Sequence, residues 1–119
     1  MTENDQVDLV WSTGSITADA QSGAIDMRQH TRLGGQIVHA GTLAGPIYLQ
    51  GSYGARGATA ATWATLTDSE GNAITLATLA GAAFDGMFNV TDINVPYVRL
   101  FYDDTSGTGS IIAYASRKN

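Results

Sequence analysis

Short runs of β-forming residues, interrupted by Gly, Asp, Asn or Ser about every 8 to 13 residues, constrain the fold of this chain most strongly. The sequence contains neither a heptad repeat nor a long apolar stripe with the period of a helix. This rhythm is typical of a β-sandwich or a β-barrel. It predicts an all-β, single-domain β-sandwich of about eight to ten short antiparallel strands. The predicted strands cover residues 7–12, 15–19, 24–29, 35–41, 46–52, 62–68, 72–78, 83–90, 97–103 and 110–116.

Two segments show a clear alternation with a period of two residues along the chain. In residues 98–102 the even-numbered side chains share one face, while Arg99 and Phe101 share the other. In residues 47–50 the odd-numbered side chains are aliphatic, and Tyr48 lies on the opposite face. Each strand is therefore expected to bury one face and to carry large amphipathic groups on the other.

The Ala-rich segment 75–83 is the one stretch that is also compatible with a helix. Its β-branched residues and its glycine favour a strand followed by a loop. The segment 68–72, which contains Gly71, is predicted to be a short hairpin loop between two strands.

A length of 119 residues suits one compact domain. We predict a flexible N-terminal arm over residues 1–6 and a single β-sandwich domain over residues 7–119. The absence of cysteine excludes disulfides and thiolate metal sites. The first residues are polar and acidic, and no apolar run reaches the roughly 20 residues that span a bilayer. We therefore expect synthesis in a cytoplasm and no membrane partner.

Charge argues against a nucleic-acid partner. The chain has six basic and eleven acidic residues, for a net charge of −5, so its surface would repel phosphates. Charged residues make up only 14% of the chain, against about 25% in ordinary soluble domains. Such a surface is expected where neighbouring molecules cover much of it. A β-protein with outer faces rich in Thr and Ser explains the same composition.

The sequence carries little sign of catalytic machinery. Nucleophilic catalysis needs a nucleophile beside a base that a third group orients, and no Gly-x-Ser-x-Gly motif occurs. His30 and His39 are the only imidazoles, and they fall on or beside two predicted neighbouring strands, where Asp26 could approach either. Histidines of a polar face or interface explain them better. We predict that the protein is not an enzyme and has no catalytic residues.

A metal site is not expected either. Asp103 and Asp104, together with Asp92, could form an oxygen-rich calcium site at one end of a sandwich. Adjacent acids in a loop rich in Gly and Ser are more often turn-forming residues. We predict no metal site and no cofactor.

Five residues are candidates for a binding interface: Tyr48, Tyr53, Arg56, Arg99 and Phe101. Tyrosine and arginine are enriched at binding hot spots because they offer large amphipathic areas with directed donors. Tyr53 and Arg56 fall in a glycine-rich segment that is predicted to be an exposed loop. For Tyr48 and Phe101, packing against a second sheet in the core is an equally good interpretation.

Three stretches read in order carry a family resemblance. They are Gly-Pro-Ile-Tyr-Leu-Gln-Gly-Ser at 45–52, Trp63, and Pro-Tyr-Val-Arg-Leu-Phe-Tyr at 96–102 followed by Ser-Gly-Thr-Gly-Ser at 106–110. This pattern, over about residues 14 to 118, resembles small virion structural proteins of tailed bacteriophages, among them capsid decoration (cement) proteins. The resemblance implies a jelly-roll-like sandwich that is made in the cytoplasm of a bacterial host and binds the capsid exterior. It further implies that the major capsid protein is the partner and that the chain forms a homo-oligomer, a trimer.

A related pattern occurs in discoidin-like jelly rolls, which bind sugars or lipid head groups. Residues 52–57 lack the Asp-Gly of that pattern's turn, so no ligand residue is carried over. The alternative function is a carbohydrate- or receptor-binding module of a virion spike or tail, which requires Trp11, Tyr53 or Trp63 to be exposed. A third hypothesis, a small enzyme, requires His30 and His39 to share a pocket with an acid.

Overall fold

A computed structural model describes residues 7–54 and 62–119, and this part of the chain contains ten strands. No helix in the two described ranges is long and apolar enough to cross a bilayer. The predicted arm over residues 1–6 lies outside the described residues. The strands are β1 (Asp8–Ser12), β2 (Ala20–Gln21), β3 (Ile25–Asp26), β4 (Arg32–Gly41), β5 (Ala44–Ser52), β6 (Ala64–Thr65), β7 (Thr75–Ala80), β8 (Phe84–Val90), β9 (Tyr97–Tyr102) and β10 (Gly109–Lys118).

The strands pair as a long hairpin that is folded over on itself. β1 pairs with β10, β2 and β3 pair with β9, β4 pairs with β8, and β5 pairs with β6 and β7, always antiparallel. Two further antiparallel pairs, β10 with β4 and β9 with β5, complete the sheets. Sheet A has the order β1-β10-β4-β8, and sheet B has the order β2-β9-β5-β6, with β3 on β9 and β7 on β5. This nested order is that of a jelly roll, and the predicted all-β sandwich is confirmed.

The core lies between the two sheets, because alternate side chains of each strand point inward. Leu33 and Ile37 of β4 and Leu49 of β5 are fully buried, as are Leu100 of β9 and Ile111 of β10. Each such side chain stabilises the fold by about 1.5–3 kcal/mol through burial of apolar surface. The outward side chains of the same strands therefore form the two broad faces of the molecule.

The predicted strand over residues 15–19 is wrong. Gly14 takes a positive φ of 68°, which turns the chain out of the β1 ladder. Only Ile16 of this segment bridges to β10, through its N–H to the carbonyl of Gly109 at 2.7 Å and the reciprocal bond at 3.1 Å. The remaining residues up to Asp19 form no ladder.

Three other predicted strands, over residues 24–29, 62–68 and 72–78, are shorter than expected, and turns formed by aspartates lie beside them. Of residues 62–68, only β6 is a strand. Of residues 24–29 only β3 is extended, since the Asp26 carboxylate accepts the backbone N–H of Arg28 at 2.9 Å. In the predicted hairpin loop, the Asp68 carboxylate accepts the N–H groups of Glu70 at 2.8 Å and of Asn72 at 3.0 Å. The following strand, β7, begins at Thr75 and is a strand followed by a turn, as the sequence favours.

Candidate interaction faces

The outer face of sheet B brings together a set of aromatic and polar side chains, which we name the aromatic face: Tyr48, Gln50, Trp63, Arg99 and Phe101. The register of β5 and β9 places Tyr48 opposite Phe101 and Gln50 opposite Arg99. All five residues are partly buried. Tyr48, Gln50, Arg99 and Phe101 are placed there by the alternation in β5 and β9, whose intervening residues fill the core, and Trp63 directly precedes β6.

Arg99 is held at the centre of the aromatic face by three contacts. Its guanidinium carbon lies 4.7 Å from the ring centroid of Trp63 and 5.9 Å from that of Phe101. Its Nε donates a hydrogen bond to Oε1 of Gln50 at 2.7 Å. Partial burial lowers the pKa of Arg99, but arginine stays protonated in proteins. The result is a fixed positive charge among aromatic rings on an acidic protein.

The structure locates four of the five predicted interface residues. Tyr48, Arg99 and Phe101 share the aromatic face, so Tyr48 and Phe101 lie outside the sandwich and not between its sheets. Tyr53 follows β5, is 75% exposed, and donates its hydroxyl to the carbonyl of Asn94 at 3.1 Å. Arg56 lies outside the described residues. Binding at these positions remains a prediction.

Sequence reasoning did not identify a second surface, the outer face of sheet A. One row of paired residues crosses all four strands of that sheet: Leu9, Tyr114, Gln36 and Met87. Met87 is 81% exposed, Leu9 is 58% exposed and Tyr114 is 38% exposed. We call this surface the apolar face and define it by the side chains of Val7, Leu9, Val38, Met87, Ile112 and Tyr114. The alternation of Met87 with buried Phe88 and Val90 was the available signal, because it places Met87 on the solvent side.

The two histidines do not form a common site. His30 lies two residues before β4 and His39 lies near the end of that strand, so they are not on two neighbouring strands. The seven residue-to-residue steps from Arg32 to His39 alone span about 23 Å. His39 is buried, with Nδ1 placed 2.9 Å from the carbonyl of Ala82, while Nε2 accepts the N–H of Leu43 at 3.1 Å. These partners require the tautomer protonated at Nδ1. His39 therefore joins β4 to two loops, and His30 and His39 share no pocket.

The three acids of the calcium hypothesis are also apart. Asp92 lies before β9 and Asp103 lies directly after it, so the six-residue strand separates them by about 20 Å. Asp104 instead joins a hydrogen-bonded cluster in which its N–H donates to Asp19 Oδ1 at 2.7 Å. No group of three His, Cys, Asp or Glu side chains within residues 7–54 and 62–119 is arranged to hold a metal ion.

Tyr102 is the buried member of that cluster. Its hydroxyl lies 2.8 Å from both the Ala44 carbonyl and Asp104 Oδ1, and its side chain is fully buried. Burial raises the pKa of the Tyr102 phenol, and the neighbouring Asp104 carboxylate raises it further, because both disfavour the phenolate. This residue therefore anchors the loop after β9 and takes no part in either outer face.

The two tryptophans have different environments. Trp11 is buried in the core and cannot stack on a ligand. Trp63 is partly buried, with the Arg99 guanidinium stacked on its ring. Of the three aromatic side chains named by the carbohydrate hypothesis, Tyr53 is the most exposed.

A scan of the chain against protein-family models gives no match, and a search of the curated proteins gives none either.

Proposed function

We propose that this chain is a phage virion structural protein, a capsid decoration (cement) protein that binds the exterior of the assembled shell and stabilises it without catalysing a reaction. The observation that carries the proposal is the aromatic face, where Arg99 is fixed between Trp63 and Phe101. The low charge content and the resemblance at residues 45–52 and 96–110 give the proposal its specific form. Jelly rolls occur in viral capsid domains, which supports it by analogy of fold alone.

The aromatic face has the chemistry of a binding hot spot. Tryptophan, tyrosine and arginine dominate such sites because they combine large contact areas with directed donors. Since Nε of Arg99 is used by Gln50, the two terminal nitrogens are the donors that would serve a carboxylate or carbonyl of the partner. The contacts that hold Arg99 reduce the ordering cost of binding. The expected partner surface is one of carboxylate and carbonyl oxygens on the major capsid protein.

Decoration requires preference for the assembled shell over its free subunits. A protein that binds only the assembled state shifts the assembly equilibrium by mass action. Several copies that are joined as a homo-oligomer, proposed to be a trimer, bind with a higher effective concentration at a symmetry axis. Weak contacts at each aromatic face then suffice for stable attachment.

The decisive experiment is co-sedimentation of the purified chain with assembled shells and with dissociated capsid subunits from a panel of tailed phages. We expect saturable binding to at least one shell and none to its subunits. Arg99→Ala should weaken that binding at least tenfold, whereas Arg32→Ala, which alters an exposed arginine of sheet A, should not. A chain that binds no lattice, or that binds equally well with Arg99→Ala, contradicts the proposal.

A carbohydrate-binding module is the second candidate, and the exposed Tyr53 favours it. The Tyr53 hydroxyl contacts Asn94, which lines a cleft of about 760 Å³ together with Asn89 and Asp92. An accessible aromatic ring beside amide and carboxylate groups suits the stacking and hydrogen bonding of a saccharide. A glycan array tests this candidate: binding that is lost in Tyr53→Ala but kept in Arg99→Ala supports it over decoration.

A further inference from the structure

The apolar face of sheet A is unusual for an exposed sheet surface. The row from Leu9 through Tyr114 and Gln36 to Met87 places large side chains side by side on four successive strands. The neighbouring row adds Ile112 and Val38, paired across β10 and β4. Contiguous apolar patches of this kind mark interaction surfaces on soluble domains. Single exposed apolar residues need no such explanation.

The charge pattern of this face favours a second copy of the chain as its occupant. The protein carries a net charge of −5, so two copies repel each other over most surfaces. The apolar face does include an acidic residue, Asp85 of β8, whose carboxylate accepts a hydrogen bond from Gln36 Nε2 at 2.6 Å. Lys118 lies at the other end of the same face, about six residues along the strands from Asp85. Two copies can therefore meet here without acidic groups opposing each other at the centre.

The shape of the face is complementary to itself. Met87 projects beside a groove of about 700 Å³ whose floor includes Gly34 and Gly35. Gly34 lies diagonally from Met87 in the β4–β8 register, with Asn89 as its direct partner. Since Gly34 has no side chain, the groove is open next to Met87, whose side chain is 81% exposed. A projection and a recess thus lie side by side.

We propose that two copies of this chain pair through their apolar faces about a two-fold axis, with Met87 of each copy inserted over Gly34 of the other. A two-fold axis brings the same patch of both copies face to face. Each projection on one copy must therefore meet a recess in the same patch of the other copy. The adjacent positions of Met87 and Gly34 satisfy that requirement. This pairing is independent of capsid binding, because the aromatic face lies on the other sheet.

The dimensions of the face set the strength of the pair. Four strands about 4.8 Å apart and three rows of residues give a footprint of about 400 Å², and the full length of β4 and β10 extends it to about 600 Å². A standard stable interface buries about 800 Å² per partner. The pair is therefore weak, with a dissociation constant expected between about 10 μM and 1 mM.

Sedimentation velocity from about 10 μM to about 1 mM protein tests the pairing. We expect a monomer–dimer equilibrium. Met87→Lys, which puts a charge into the groove, and Gly34→Leu, which fills the groove, should each weaken the dimer at least tenfold. A Cβ at position 34 meets nothing closer than 3.7 Å, so Gly34→Leu should remain folded, which urea denaturation can verify. Thr78→Lys, at an exposed position of sheet B, is the matched control and should leave the dimer unchanged.

Cross-linking provides a second measurement. Because the chain has no cysteine, Met87→Cys and Thr78→Cys each introduce a single thiol. A short bismaleimide should join two copies of the Met87→Cys chain and not two copies of the Thr78→Cys chain. A chain that stays monomeric at 1 mM, or a dimer that persists in Met87→Lys, overturns the proposal. A trimer that the apolar-face variants abolish overturns the two-fold arrangement.

Discussion

Arg99 and Gln50 lie directly opposite each other on β9 and β5, and Nε of Arg99 donates a hydrogen bond to Oε1 of Gln50 at 2.7 Å. This bond fixes the plane of the guanidinium, whose carbon lies 4.7 Å from the Trp63 ring centroid. Both contacts lie on the outer face of sheet B and not in the core. They therefore determine mainly how Arg99 is positioned for a binding partner. The relationship makes Arg99 the most informative residue to substitute.

Arg99→Lys should keep the positive charge and remove the stack. An ammonium cannot form the planar contact with Trp63 or the directed Nε bond to Gln50. We expect a stability loss of no more than about 1 kcal/mol, because the stack is partly solvated. Trp63 emission should shift, and affinity for any partner of the aromatic face should fall at least tenfold. Fluorescence, urea denaturation and a binding titration measure the three effects.

Arg32→Lys is the control for this substitution, since within residues 7–54 and 62–119 Nε of Arg32 donates to the Asn119 carbonyl at 2.8 Å and stacks on no aromatic ring. It should change neither the emission nor the affinity. If Arg99→Lys leaves both unchanged as well, the stack does not organise the aromatic face.

The sequence predicts most of the sandwich because alternation is a local signal. In β5 and β9 it identifies which side chains face the core and which reach the surface, and the register places Arg99 and Phe101 as alternation requires. The hairpin at Asp68 was also predictable, because a side-chain carboxylate that accepts nearby N–H groups is local chemistry.

Longer-range relationships were not predictable from the sequence. The role of His39 depends on Ala82, which is 43 positions away. The apolar face depends on the pairing of β1, β10, β4 and β8, because alternation shows that Leu9 and Met87 leave the core but not that they share a sheet. A single bridge at Ile16 could not be distinguished from a strand by composition.

Gly35→Ala and Gly34→Ala should differ sharply in stability. A Cβ at position 35 would lie 2.2 Å from the Tyr114 carbonyl oxygen and 2.6 Å from the Phe88 ring, so β10 or the ring must move. Such overpacking costs about 1–3 kcal/mol. At position 34 the nearest atom is 3.7 Å away, and alanine should be neutral or stabilise by about 0.5 kcal/mol. Paired urea denaturation curves test this, and equal effects at the two positions would contradict the close approach of Phe88 to Gly35.

Tyr102→Phe should destabilise the protein at neutral pH by about 1–3 kcal/mol, because the Ala44 carbonyl loses its donor. The pKa of Tyr102 is raised in the folded state, so its contribution is complete below the unfolded pKa of about 10 and declines as the pH rises above that value. The stability difference between the native chain and Tyr102→Phe should therefore shrink by about 1.4 kcal/mol per pH unit above pH 10. Urea denaturation at pH 7 and at two pH values above 10 measures the difference, and a difference independent of pH would contradict the raised pKa.

His39→Phe and His30→Ala separate a structural role from a catalytic one. His39→Phe leaves the buried Leu43 N–H without its acceptor and the partly exposed Ala82 carbonyl without its imidazole partner, and it should cost about 1–3 kcal/mol, mainly from the buried N–H. His30→Ala removes a ring nitrogen, Nδ1, that is buried without a hydrogen-bond partner among the described residues, and it should change stability by less than about 1 kcal/mol. Thermal and urea denaturation measure both variants, and binding per folded molecule should be unchanged in each. A His30→Ala variant as unstable as His39→Phe would contradict the structural role assigned to His39 alone. Loss of an assayed activity in both variants, without loss of folding, would support an enzyme instead of a docking protein.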